Sequence, residues 1–175
     1  LVWLSTDRQK GEGMADTLES GLLETWLIHD RINRFMLDGI APAALNDRAA
    51  SGGRSVAEAF AHMHNVRLMW LKSAAPDILG GVETDGFGKL EKDALTLEVL
   101  AVHLERSGQA IHALLGQSLG ASGKVKGFKP HITAFLGYLI AHEAHHRGQI
   151  VLALKESGHT PEKKVLFGLW EWGVR

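Results

Sequence analysis

The residues best suited to chemistry form one run near the C-terminal end of the chain, His142-Glu143-Ala144-His145-His146-Arg147-Gly148-Gln149. On a helix His142 and His146 lie one turn apart on the same face, so their imidazoles can converge on one ion. His142 with His145 offers a second pair, at i,i+3. Neutral imidazole is the commonest metal ligand and the usual acid–base group near neutral pH. The alternative is a solvated, His-rich helix surface. Against it, the flanking Ile132–Ile140 and Ile150, Val151, Leu152 and Leu154 are strongly apolar, so a helix here is largely buried. A buried imidazole without partners loses its hydrogen bonds to water. A metal, with acceptors behind its ligands, would satisfy it.

A metal site needs more than two protein ligands. His62 shares a helical face with Ala59, Val66 and Met69, which read as core-facing. His64 shares a more mixed face with Phe60, Ala61, Arg67 and Leu68. Periodicity favours His62 by a small margin and leaves His64 open. His29 lies on the apolar stripe of its helix and reads equally as a pocket residue or a core histidine. His103, His112, His131 and His159 read as surface residues. The same run also fits the H-E-x-x-H protease pattern, with Glu143 as general base. Leu152 and Gln149 stand where the longer metzincin pattern wants His and Gly. Glu156 and Glu171 remain as downstream ligands. Such proteases usually hold their peptide along a strand, and no strand is evident, so this reading ranks low.

Composition narrows the field. A chain of 175 residues, 45% hydrophobic and 22% charged, is long and apolar enough for one well-packed domain and is not a disordered chain. The net charge of -1 lacks the basic footprint of nucleic-acid binding and of a polybasic membrane surface. No apolar run reaches the roughly 18 residues of a membrane span. The absence of Cys excludes disulfides, thiolate ligands and a Cys nucleophile. The opening LVWLSTDRQKGEG lacks the basic leader and apolar stretch of a signal peptide. Residues 1–13 are expected to be an N-terminal extension outside the core, residues 14–175 one domain, and the setting cytoplasmic.

Four long amphipathic patterns must position the histidines. The first runs from about Asp16 to Asp38 on the stripe Leu18, Leu22, Trp26, His29, Ile32 and Met36, with Asp16 and Glu19 as its start signal. The second, about Ser55 to Ala75, opens on the capping box Ser55–Glu58 and is stopped by Pro76. Gly80 to Lys89 reads as a flexible loop. The third spans about Thr96 to Leu119, with Gly108 on its buried face as a mark of close helix contact. The fourth begins after Pro130 and ends near Ser157, before Gly158. The tail Val165 to Trp172 is too apolar to float free and should pack on the helices or on a second chain. Trp26, Trp70, Trp170 and Trp172 read as core packing rather than a ligand pocket. Arg147 is expected to pair with an unidentified acidic residue. The mid-helix Gly148 beside it is expected to reflect close packing or ligand approach. With no period-two alternation, the fold expectation is all-α, a four-helix bundle with a short helical tail.

Arg54-Ser-Val-Ala-Glu-Ala-Phe-Ala-His62-Met resembles the second-helix motif of the DinB-like metalloprotein superfamily. His142-Glu-Ala-His-His146-Arg-Gly-Gln149-Ile resembles its last-helix motif. Gly158-His and Phe167-Gly-Leu-Trp-Glu-Trp172 are similar to the tail of one branch. The resemblance extends from about Met14 to Arg175. It implies an up-down-down-up bundle, frequent dimers, and one divalent metal held by His62, His142 and His146. It also implies a preference for His62 over His64. Known activities in the superfamily include thiol-dependent transferases and isomerases.

Three neutral imidazoles leave a metal its 2+ charge and an open position for water or substrate, the arrangement of catalytic rather than structural sites. The leading expectation is a metal-dependent transferase or hydrolase that activates water or a small thiol. Zn²⁺ and Ni²⁺ both suit imidazole. Glu143 and His145, with His64 and His29 behind them, are the candidates for proton transfer. A non-enzymatic, metal-binding dimeric scaffold is the second reading. The protease is third, and a metal-free domain for an apolar ligand fourth.

Overall fold

A computed structural model describes residues 17–93 and 95–175. Among them all regular structure is helical: α1 (Leu18–Asp38), a 3₁₀ turn (Pro42–Asn46), α2 (Val56–Ala74), α3 (Pro76–Thr84), α4 (Leu97–Ala121), α5 (Ile132–Glu156) and α6 (Lys163–Gly168). None of these helices is long and apolar enough to cross a membrane. The extension 1–13 and the start signal at Asp16 lie outside the described residues. The observed start of α1 is a capping box between Thr17 and Ser20 instead. The expected Ser55–Glu58 box opens α2. His131 caps α5, its side chain accepting from the Ala134 N–H, and Pro130 stands just before it. Gly158, at φ 83°, takes the left-handed conformation that ends α5.

One expected loop is partly a helix. Pro76 ends α2, since it offers no N–H, but the same residue suits a first helical turn and opens α3. Leu79 is buried, and Ile78 and Val82 pack beside it on the cluster around Leu71 and Leu115. That packing outweighs the poor helix propensity of Gly80 and Gly81, which face solvent.

Two apolar clusters fill the interior. One joins Met36 and Leu37 of α1, Phe60 and Met63 of α2, Leu100 and Leu104 of α4, and Ile150 and Leu154 of α5. The other joins Trp26, Leu71, Ile111, Leu115, Phe135 and Leu139. The buried polar residues His29, Asp30, Asn33, Arg67, Ser107 and Glu143 fall between these stretches along their helices. Gly108 makes the expected close contact there. Its carbonyl accepts from the Trp26 indole at 2.8 Å, and a Cβ at this position would collide with the Asp30 carboxylate. Gly108→Ala therefore gains up to about 1 kcal/mol of helix propensity but loses about 1–3 kcal/mol to overpacking. A melting temperature lower by about 5 °C is expected in a thermal scan.

The tail packs on α1 in part. Val165 lies so close to Gly39 that a Cβ there would meet its methyl group at 2.7 Å, and the Arg175 guanidinium sits 3.6 Å over the Phe35 ring. Trp26 is fully buried, as a core role requires, but Trp170 is 81% exposed and does not pack in the core.

Candidate metal centre

α2 and α5 lie side by side and bring three histidines together. One ring nitrogen from each of His62, His142 and His146 lies within 4.8 Å of the other two. The Nε2 atoms of His142 and His146 are 3.2 Å apart. The His62 ring centroid lies 4.7 Å from that of His146 and 5.3 Å from that of His142. His146 is buried, and the other two are half-buried. The i,i+4 spacing on α5 supplies the pair, and the capping box fixes the end of α2 that carries His62.

The surroundings fit a cation. His146 Nδ1 lies 2.8 Å from Gln149 Oε1, so Nδ1–H donates there and Nε2 turns its lone pair toward His142. His142 Nδ1 is buried with no partner among the described residues. Tetrahedral zinc, with Zn–N bonds near 2.05 Å, sets ligand nitrogens about 3.3 Å apart, close to the spacing of the two Nε2 atoms. Burial, the Arg54 charge and the neighbouring imidazoles push His62 down to about 4. Burial lowers His142 and His146 as well. All three rings are thus neutral, with lone pairs available, at neutral pH.

A pH dependence follows. Protons compete with the metal for these nitrogens, and lowered pKa values move that competition to more acid solution. Bound metal should be retained from pH 8 to about pH 6 and released as pH falls further, read as metal content after gel filtration at graded pH. For the metal-free fold the sign is the same. Each folded value lies below the ordinary 6.5. Stability is therefore full above that pH and falls as the pH drops through about 4 for His62.

The remaining histidines have other roles. His64 is fully buried, with Nδ1 3.0 Å from the His103 carbonyl and Nε2 3.0 Å from the Gly88 carbonyl, so neither nitrogen is free for a metal. It anchors α2 to α4 and to the loop after α3. His145 is exposed, its ring 5.2 Å from that of His146. His159 meets Asp47 at 2.6 Å. His131 is exposed, as expected, whereas His103 and His112 are half-buried.

Glu143 is not placed to act as a base on a metal-bound water. Arg67 donates to both of its oxygens at 2.8 Å, and His29 and Asn33 reach Oε2 at 2.8 and 2.5 Å. Burial works to raise its pKa, but the Arg67 charge and these donors hold it well below the usual carboxylate range. Arg67 also donates to Asp30 at 2.8 Å and to the Leu104 carbonyl at 2.9 Å. Arg147 pairs with no carboxylate among the described residues. It donates to Asn33 Oδ1 at 2.6 Å and approaches His29 Nδ1 at 3.4 Å, both neutral acceptors. The roles of Arg67, Asp30 and Asn33 were not evident from the sequence. Their signal was there, however: charged and amide residues standing within the apolar stripes Phe60–Met63–Leu71 and Trp26–Met36.

His62 also walls a cleft of about 450 Å³ bordered by Arg48, Arg54, Glu58 and Lys89, so the histidine cluster borders a space open to small molecules. Residues 14–168 match the family model of the DinB family. The chain belongs to the DinB family. The matched stretch carries all three clustered histidines and the whole Arg67–Glu143 network, so both are features of the DinB-family portion of the chain. No curated protein and no solved structure matches the chain significantly.

Proposed function

We propose that this DinB-family chain is a metal-dependent enzyme of transferase or hydrolase type. In this reading His62, His142 and His146 hold one divalent ion, Zn²⁺ or Ni²⁺. The observation that carries it is the cluster itself: three neutral imidazoles, with no carboxylate or fourth side chain joining them among the described residues. When bound, the ion supplies Lewis acidity at an open position, enough to bring a water toward pKa about 7 or to ionise a thiol. Gln149 fixes the His146 tautomer. Arg67 and Glu143 hold α5 against α2, and the cleft beside His62 admits the substrate. His145, exposed next to His146, is the side chain available to pass a proton to solvent.

The same proposal takes the four long helices as an up-down-down-up bundle. Two distributions support it. The N-terminal parts of α2 and α4 share one apolar cluster with the C-terminal parts of α1 and α5, and the opposite ends share the other. It also takes the protein as a cytoplasmic homodimer acting on a small molecule, and not on nucleic acid.

Metal analysis of untagged protein, after loading with Zn²⁺ or Ni²⁺, tests the site. The expected result is about one ion per chain and turnover in a thiol-transfer or hydrolysis screen that chelation abolishes. Metal at that stoichiometry, bound in a closed coordination sphere that admits no added thiol, would favour the non-enzymatic scaffold. No bound metal would remove the proposal.

A further inference from the structure

We propose that the substrate taken beside the three histidines is an anion, a small molecule bearing a carboxylate or phosphate, and that Arg54 holds its charged group. This rests on the metal reading above and adds the substrate class to it.

The cleft that His62 walls is charged unequally. Arg48, Arg54, Lys89 and Lys92 face it against Glu58 and Glu91, a difference of 4 − 2 = 2 positive charges. Both carboxylates are already taken. Glu58 is held by Arg48 at 2.8 Å, by Lys92 at 3.5 Å and by the Ser55 N–H at 3.0 Å. Glu91 is paired with Lys89 at 2.8 Å. Arg48 additionally donates to the Gly53 carbonyl at 2.6 Å. Arg54 has no hydrogen bond and no ion pair among the described residues, and it is the one cleft cation in that state.

Its position is equally specific. Gly52 and Gly53, at φ 85° and 103°, turn the chain just before the Ser55 cap and set Arg54 at the rim. There it walls two clefts at once. One is the 450 Å³ cleft containing His62, and the other is a smaller one of about 130 Å³ containing Gln149, the partner of His146. It therefore stands between the two helices that carry the cluster. A guanidinium beside a divalent ion is a repulsive pair unless an anion lies between or across them. The planar fork of Arg matches carboxylate and phosphate oxygens. Ala61, Leu90 and Leu95 line the same cleft and would carry an apolar spacer between the anionic and reacting ends of the ligand.

The test uses the full chain loaded with Co²⁺, whose visible bands report the metal site and whose thiolate charge-transfer band reports a bound sulfur. The probes are ω-mercapto acids of three to six carbons, each against the mercapto alcohol of the same length. In at least one length the acid should bind about tenfold more tightly than the alcohol. Arg54→Ala should bring that ratio close to one, Arg54→Lys should keep part of it, and added salt should reduce it. Equal affinities for acid and alcohol in the wild type would overturn the assignment. So would a preference that survives in Arg54→Ala, because chelation at the metal or another cation would then account for it. If Arg54→Ala loses the Co²⁺ bands, Arg54→Gln carries the same comparison. No Co²⁺ bands in the wild type would overturn the metal reading, and this inference with it.

Discussion

Arg67→Met is expected to destabilise the fold by about 3–5 kcal/mol, the cost of leaving buried charges without their partner. The Arg67 side chain is fully buried and closes three contacts at once: the bidentate pair with Glu143, the Asp30 carboxylate and the Leu104 carbonyl. It also lies 4.9 Å from the Trp26 ring. Methionine replaces the volume of the alkyl stem and none of the donors. Glu143 keeps Asn33 and His29, and among the described residues Asp30 keeps only Arg34, at 3.1 Å. A loss of this size is a large fraction of the 5–15 kcal/mol that typically holds a domain together. In a chain of this length it should lower the melting temperature by about 10 °C. Acid distinguishes this cause from lost packing. In the wild type Glu143 is held below its ordinary 4.5, so its contribution is present above that pH and lost as the pH falls below it. In Arg67→Met the Glu143 carboxyl, buried without its counter-charge, takes up its proton more readily than in the unfolded chain, so the deficit should narrow as pH falls toward 4. Urea unfolding at pH 7.5 and pH 4.5 measures both numbers. An equal deficit at the two values would mean that Arg67 acts by filling space.

How much of this was legible follows from what each residue's neighbours in sequence reveal. The four long helices were readable because their apolar stripes, the Ser55–Glu58 box and Gly158 are local signals, and local signals agree with the fold here. α3 was not readable, because Gly80 and Gly81 argue against a helix while the packing that outweighs them, on Leu71 and Leu115, comes from other elements. The same division holds at the site. The His142–His146 pair is a property of one helix and visible in its spacing. The choice between His62 and His64 is not. Both lie on α2, and both read as partly core-facing. What separates them is that the His103 and Gly88 carbonyls reach His64, whereas α5 reaches His62. The H-E-x-x-H reading of Glu143 turns on the same kind of long-range contact. The motif fixes which residue follows His142, but Arg67, 76 positions earlier in the chain, decides where that carboxylate is held.

That pair of histidines supports the sharpest test of the metal centre. His62→Ala is expected to weaken Zn²⁺ binding by a hundred- to thousandfold, and His64→Ala to leave it unchanged. The magnitude comes from four-ligand zinc sites, where apparent binding energies of about 10–16 kcal/mol amount to roughly 3–4 kcal/mol per ligand. Competition against a chromophoric chelator at pH 7.5 reads it. His142→Ala and His146→Ala should match His62→Ala, since each removes one nitrogen of the same cluster. Gln149→Ala should fall between, at about 10–100-fold, because it removes the acceptor that orients His146 and not a ligand. His64→Ala separates binding from folding. It leaves an interior carbonyl without its N–H donor and should destabilise the protein by about 1–3 kcal/mol while metal affinity stays in place. If His64→Ala lost the metal as completely as His62→Ala, the affinity would be tracking the integrity of α2 and not the chemistry of one nitrogen. If neither variant lost it, the ion would be held by α5 alone, and the convergence of α2 on that helix would need another purpose. Loss in His62→Ala with retention in His64→Ala is the result that ties the metal to the geometry, because both residues stand on α2 and only the His62 ring faces the α5 pair.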